Sequence, residues 1–240
     1  MRFSKRIKDI CKCVSQGESV ADIGTDHAYV PMLLMKEGVI DSAIMSDISE
    51  GSLNKAKETF DIVSINVPDE CFRLADGLDG IKEKEVDDII IAGLGGYTII
   101  DILSKDEVKS KSFNKLILQP RKFSGALRKY LLTNGWKIDK EILTPEGKFI
   151  CEIIVASKSN EPFKIDLDDD NISWNYPKTF ENVDYDLLRQ RIDWKISSID
   201  EEISNLSKSK QDTSESVLKL NSDKEYLINL LDRCLQNNFW

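Results

Sequence analysis

Val20-Ala21-Asp22-Ile23-Gly24-Thr25-Asp26-His27-Ala28-Tyr29-Val30-Pro31 decides the reading of this chain. An apolar strand runs into a small-residue turn, and the turn opens a helix. The glycine lets the backbone approach a ligand closely, while the acidic side chains beside it can accept hydrogen bonds from an ammonium group. A pyrophosphate cradle of the GxGxxG type is absent, because Gly24 stands alone and two carboxylates next to a pyrophosphate would repel it. A nicotinamide oxidoreductase is therefore poorly supported.

Working outward, seven segments read as strands: about 19–24, 42–47, 71–76, 86–92, 115–119, 136–143 and 149–156. Ile89-Ile90-Ile91-Ala92 and Leu116-Ile117-Leu118 are short continuous apolar runs, as expected of parallel strands covered on both faces. Helical patterns at about 2–14, 27–37, 50–60, 97–105 and 122–134 alternate with them, which predicts a doubly wound sheet. The last two strands are separated only by a turn containing Pro145, Glu146 and Gly147, and should pair as an antiparallel hairpin. The fold expected is α/β: a class I Rossmann-like sheet of five parallel strands plus an antiparallel hairpin. Asp47, Asp76 with Gly77, and Gly93-Leu94 all fall at carboxyl ends of strands, the edge where open parallel sheets bind ligands. There Asp47 can bind both hydroxyls of a ribose and Asp76 can meet an adenine amino group, a set suited to S-adenosylmethionine.

Around residues 160–184 the chain turns polar and acidic, with Asp168-Asp169-Asp170, Pro162 and Pro177, and reads as a connection. Beyond it Tyr185, Leu188, Ile192, Ile196, Ile199, Ile203 and Leu206 recur at helical spacing. Val217, Leu220, Leu227, Leu231 and Cys234 do so again after a polar break. Two helices folded back as a coiled-coil hairpin are expected, with Lys224 at a seam position arguing against a long self-associating zipper. We divide the chain into a catalytic domain at 1–159 and a linker with helical domain at 160–240.

A chain of 240 residues, 41% hydrophobic and 31% charged, can bury one α/β core with material left for an appendage. No apolar run is long enough to span a bilayer, and five scattered cysteines without CxxC spacing predict structural thiols rather than a metal or disulfide framework. These features predict a cytoplasmic monomer with no membrane and no metal. The net charge of −9 is unevenly placed, −2 over residues 1–160 and −7 over 161–240, so basic clusters are hidden in the total. Arg2, Lys5, Arg6, Lys8 and Lys12 form one; Arg121, Lys122, Arg128 and Lys129 form another; Arg189, Arg191 and Lys195 lie in the first helix of the tail. Phosphate binding needs only a local positive field.

ADIGTDHAYVP, Asp47 followed by Gly51, Leu74-Ala75-Asp76-Gly77-Leu78, IIIAGLGG, LILQP and EGKFICEIIV taken together resemble the bacterial tRNA adenine-22 N1-methyltransferase family over about residues 1–157. The helical tail is similar to that family's architecture too. Arg121 departs from the pattern, standing where an asparagine is common, and Leu94 replaces a frequent methionine. The resemblance implies methyl transfer from S-adenosylmethionine to N1 of an adenine near the tRNA D-loop, with tRNA as partner. It implies cofactor contacts from Asp22, Gly24, Thr25, Asp26, His27, Asp47, Ile48, Asp76, Gly77, Gly93 and Leu94. Asp26 and Tyr29 are the candidate catalytic residues: the first could favour the cationic methylated base, the second could stack on it. His27, the only histidine, has no metal-ligand companions. Because N1 lies on the pairing edge, the base must be unpaired or flipped. Rival readings are methylation of another RNA or a small molecule, and a noncatalytic RNA-binding module that keeps the fold.

Overall fold

The computed structural model describes residues 3–159, 171–208 and 212–236. Arg2, Pro162 and the Asp168-Asp169-Asp170 run lie outside the described residues. Among the described residues, seven strands form one sheet: β1 (Val20–Ile23), β2 (Ala43–Asp47), β3 (Phe72–Leu74), β4 (Asp88–Leu94), β5 (Lys115–Pro120), β6 (Trp136–Glu146) and β7 (Phe149–Lys158). Their order is β3-β2-β1-β4-β5-β7-β6. β1 to β5 pair in parallel, with Val20 opposite Ala43 on one side and Asp88 on the other. β7 runs antiparallel to both β5 and β6, so the last strand in sequence is inserted between them.

Period-two alternation sends successive strand residues to opposite faces. Val20, Met45, Ile90 and Ile117 face the helices α1 (Lys5–Cys11), α2 (Tyr29–Lys36) and α3 (Glu50–Ile62), which bury Ile10, Met32, Leu34 and Phe60 against them. Ala21, Ile44, Ile89, Ile91, Leu116 and Leu118 face the other way, against Ile99 and Leu103 of α4 (Gly96–Ser104) and Leu127 and Leu131 of α6 (Ser124–Thr133). A short α5 (Glu107–Ser110), absent from the sequence reading, sits between β4 and β5, where Ser110 donates to the Leu103 carbonyl at 2.7 Å. Ser4 and Ser49 cap α1 and α3 by accepting hydrogen bonds from the Ile7 and Ser52 amides.

The tail forms two long helices, α7 (Tyr185–Leu206) and α8 (Ser214–Gln236), packed on each other. Leu188, Ile192 and Ile199 from α7 meet Leu227, Leu230 and Cys234 from α8 in a third core. Leu143 of β6 joins that core, and so do Ile172 and Tyr176 from the segment the sequence reads as a connection. A 3-10 turn, Ile172–Asn175, presses on α6 so closely that a Cβ on Gly125 would lie 2.6 Å from the Asn175 Oδ1. Lys224, at its seam position, pairs with Asp200 at 2.6 Å.

A buried ion network ties these layers together. Arg128, fully buried on α6, reaches Glu141 on β6 and Glu152 on β7, both at 2.7 Å, and donates to the Trp174 carbonyl at 3.1 Å. Glu141 also accepts the backbone amides of Lys178 and Thr179, while Arg191 on α7 pairs with Glu152 and donates to the Asn175 carbonyl. The expectation that Arg128 offers charge to RNA is overturned, and Arg191 turns part of its charge toward the sheet. The first guanidinium is sealed from solvent and the second is held by Glu152, because both neutralise carboxylates that burial would otherwise strand.

Candidate active site

β1 and β4 are neighbours at the sheet's centre, and their crossovers leave in opposite directions, which opens a crevice beyond their carboxyl ends. A cavity of about 960 Å³ fills that crevice. Asp26 and Tyr29 line it, as do Asp22, Gly24, Thr25, His27, Asp47, Ile48, Asp76, Gly77, Gly93 and Leu94, so one cavity brings together every site residue named from the sequence.

Local backbone geometry builds the turn. Gly24 has φ +72°, Asp26 +43° and Ala28 +51°, three left-handed residues within five positions. Only glycine adopts that region freely, so Asp26 and Ala28 are held there by their surroundings. One restraint is visible: the Asp26 amide donates to Asp47 Oδ2 at 3.3 Å while the Ser49 amide donates to Oδ1 at 2.9 Å, leaving both oxygens of Asp47 a free lone pair each. The Gly24 and Thr25 amides bond the Ser46 carbonyl at 2.8 and 3.2 Å, fixing the turn to β2.

Asp22 lies buried at the end of β1, where the Thr25 hydroxyl donates to Oδ2 at 2.6 Å. Burial pushes its carboxyl up to about 6; the Thr25 hydrogen bond works against that shift and Asp47 adds to it. Asp26 is exposed and paired with Lys55 at 2.9 Å, and His27 Nε2 lies 3.8 Å from its other oxygen. The His27 ring stacks on Tyr29 with centroids 5.0 Å apart and planes 4° apart, and Phe3 meets Tyr29 edge-on at 5.7 Å. Asp76 is engaged by Lys105 at 3.1 Å, which also bridges to Asp79 at 2.8 Å.

The structure adds residues that the sequence reading did not place at the site. Arg6 donates to Gln119 at 3.0 Å and pairs with Glu146 at 3.4 Å, and all but Gln119 face the cavity together with Ser4, Thr98, Asp101, Lys105 and Arg121. Lys5 and Lys12, read as members of the same basic cluster as Arg6, are turned instead to Asp9, at 2.7 and 3.0 Å. The wall thus carries Asp22, Asp26, Asp47, Asp76, Asp101 and Glu146 against Arg6, Lys105 and Arg121. An excess of carboxylates suits a cationic ligand with hydroxyl and amino donors and disfavours a dinucleotide pyrophosphate. Among the described residues no group of three or more metal-ligating side chains could hold an ion, and no helix is long and apolar enough to cross a membrane.

A family model described as a methyltransferase domain matches residues 3–154. The chain belongs to the methyltransferase domain family. This methyltransferase is 32% identical over 156 residues to the tRNA (adenine(22)-N(1))-methyltransferase of Bacillus subtilis, and the match spans 65% of the length of each chain. It is also similar to a Streptococcus pneumoniae protein solved in complex with S-adenosyl-L-methionine, with 26% identity and a TM-score of 0.73 over 96% of this chain and 100% of that one. A crystal structure of the Bacillus subtilis m1A22 tRNA methyltransferase is 25% identical, with a TM-score of 0.69 over 96% of this chain and 99% of that one. Coverage of 96% carries the likeness past the sheet and into the helical hairpin.

Proposed function

We propose that this methyltransferase transfers the methyl group of S-adenosylmethionine to N1 of an adenine at position 22, in the D-loop region of tRNA. The convergence of Asp22, Asp47 and Asp76 from three strand ends onto one carboxylate-rich cavity carries the reading, and the named relatives supply the acceptor. When bound, S-adenosylmethionine supplies a methyl group activated by a positive sulfur. The chain's own task is placement: N1 of an unpaired adenine already holds a lone pair, so in-line positioning does most of the work. Asp47 receives ribose hydroxyls on its free lone pairs, and Asp76 exchanges Lys105 for the adenine amino group. Asp22 receives the ammonium and Arg6 the carboxylate of the methionine part. Asp26 and Tyr29 face the acceptor, Asp26 favouring the cationic product base and Tyr29 bounding it with His27 stacked behind.

We assign cofactor binding and chemistry to residues 1–159 and tRNA docking to the helical hairpin within 160–240, where Arg189 is exposed. A cytoplasmic monomer goes with this reading: the cysteines are free thiols, as a reducing compartment keeps them, and Lys224 is satisfied within its own hairpin. Incubation with labelled S-adenosylmethionine and unmodified tRNA transcripts, followed by mapping of the modified nucleotide, tests the reading. Label at N1 of adenine 22 is expected; saturable cofactor binding with no label on any tRNA would leave a noncatalytic RNA-binding protein.

Arg6→Ala is expected to weaken cofactor binding about tenfold, the loss of one charge-assisted contact. The slope of log tRNA affinity against log salt should stay where it is. A slope lowered by about 0.7–0.9 with normal cofactor affinity would move Arg6 to the RNA surface.

Cofactor affinity should also depend on pH through Asp22. Only the carboxylate form attracts an ammonium, so calorimetric affinity should rise with pH through about 6 and level off above. Folding runs the other way: a carboxyl raised in the folded state makes the protein less stable as pH climbs from the ordinary 3.8 to about 6. Loss of affinity at pH 5 therefore cannot be ascribed to Asp22-linked unfolding. Asp22→Asn should bind weakly with a flat profile, and a wild-type profile in that variant would exclude Asp22 as the ammonium partner.

A further inference from the structure

Next in the chain to residues that line the cavity, two large aromatic side chains are left open to solvent side by side. Tyr97, one residue into α4, is 56% exposed, and Phe123, immediately before α6, is 57% exposed. Their ring centroids lie 4.8 Å apart, tilted by 47°. Neither ring is part of the cavity wall, whose nearest contributions are Thr98 and Arg121, their close neighbours in sequence.

The pair is built, not incidental. The Gly96 amide donates to the Lys122 carbonyl at 2.8 Å and the Arg121 amide to the Leu94 carbonyl at 2.7 Å, so the two loops are bonded edge to edge. A Cβ on Gly96 would collide with the carbonyl oxygen of Phe123 and lie 2.9 Å from that of Lys122, so only glycine allows this approach. Phe123 itself has φ +60°, a conformation bulky residues seldom adopt, and it places the ring beside Tyr97. Arg121 and Lys122, in the same loop as Phe123, are exposed. A rigid aromatic surface next to two cations matches a nucleotide: a base for the rings and a phosphate for the charges.

We infer that Tyr97 and Phe123 form a stacking platform for the nucleobase next to the methylated adenine, with Arg121 and Lys122 holding the phosphate between the two. The inference rests on the tRNA reading and extends it. The acceptor base enters the cavity, and the platform, lying just outside the wall, meets its neighbour. Stacking tolerates any base, so the platform grips the strand without reading its sequence and holds the acceptor out of its own stack.

The test uses the enzyme and four variants: Tyr97→Leu, Phe123→Leu, the two leucine changes combined, and Tyr97→Trp, which restores a stacking face. With tRNA transcripts, each leucine variant should raise KM about tenfold while calorimetric affinity for S-adenosylmethionine stays within about twofold of wild type. Tyr97→Trp should restore KM, which a purely structural role for Tyr97 would not do. Wild-type KM in the Tyr97→Leu/Phe123→Leu double variant, with the parent enzyme methylating tRNA, overturns the platform. Should the parent enzyme methylate no tRNA, the functional reading fails on its own, and filter-binding of tRNA to the same variants decides the platform: about tenfold weaker binding upholds it and unchanged binding overturns it.

Discussion

Arg128→Met is expected to destabilise the protein by about 3–5 kcal/mol, a fall in melting temperature of about 6–20 °C. The methionine fills the space but leaves Glu141 and Glu152 buried without the guanidinium that both face at 2.7 Å. Burial alone would push the Glu152 carboxyl up; Arg128 and Arg191 more than reverse this and hold it well below the usual carboxylate range. Stabilisation from this group is therefore complete above pH 4.5, its ordinary value, and is lost as pH falls through the lowered one. Adding Glu141→Gln and Glu152→Gln to Arg128→Met should recover part of the loss, because the stranded charges go with their partner. Thermal and urea unfolding can measure both variants. A change below about 1 kcal/mol in Arg128→Met would mean that water or Arg191 compensates and that the network is not what joins the hairpin to the sheet.

Asp47→Ala is expected to weaken S-adenosylmethionine binding about 100-fold, the loss of two hydrogen bonds to a charged acceptor. Affinity for tRNA should change by less than about threefold. Part of the effect is indirect: the alanine also releases the Asp26 and Ser49 amides, which the carboxylate now holds at 3.3 and 2.9 Å. Asp47→Asn separates the two contributions, since the amide oxygen keeps an acceptor for the turn but loses the charge and one ribose acceptor. Its affinity should fall between those of wild type and alanine. Unchanged cofactor affinity in Asp47→Ala, read by calorimetry, would take Asp47 out of the site.

Much of the site was legible because strand ends obey local rules. An apolar run closing on Gly24 or on Gly93-Leu94 marks where a parallel strand ends, and in a doubly wound sheet those ends share one edge. Residues supplied by helices and by the hairpin turn obey no such rule. Glu146 and Arg6 reach the cavity from opposite ends of the sheet domain, and only the tertiary fold brings them to 3.4 Å. Arg128 had a readable signal that charge counting obscured. Ser124, Leu127, Arg128 and Leu131 occupy one helical stripe, and all four are buried, so the arginine's position on α6 predicts burial while its charge suggests a surface. Ile172 and Tyr176 were hidden likewise inside a stretch whose overall composition is that of a connection, although each is packed in the third core.

The placement of β7 between β5 and β6 has a consequence for synthesis on the ribosome. Growth from Pro120 to Lys158 takes on the order of 2–8 s at about 5–20 residues per second, and throughout that interval the bonding edge of β5 has no neighbour. β6 emerges first yet ends outermost, paired with β7, so the native neighbour of β5 is complete only once β7 has been made. During that delay Leu116, Ile117 and Leu118 form an open apolar edge. Nascent chains halted between these two points should accordingly be the species most prone to associate, and the ones on which a chaperone has most to cover.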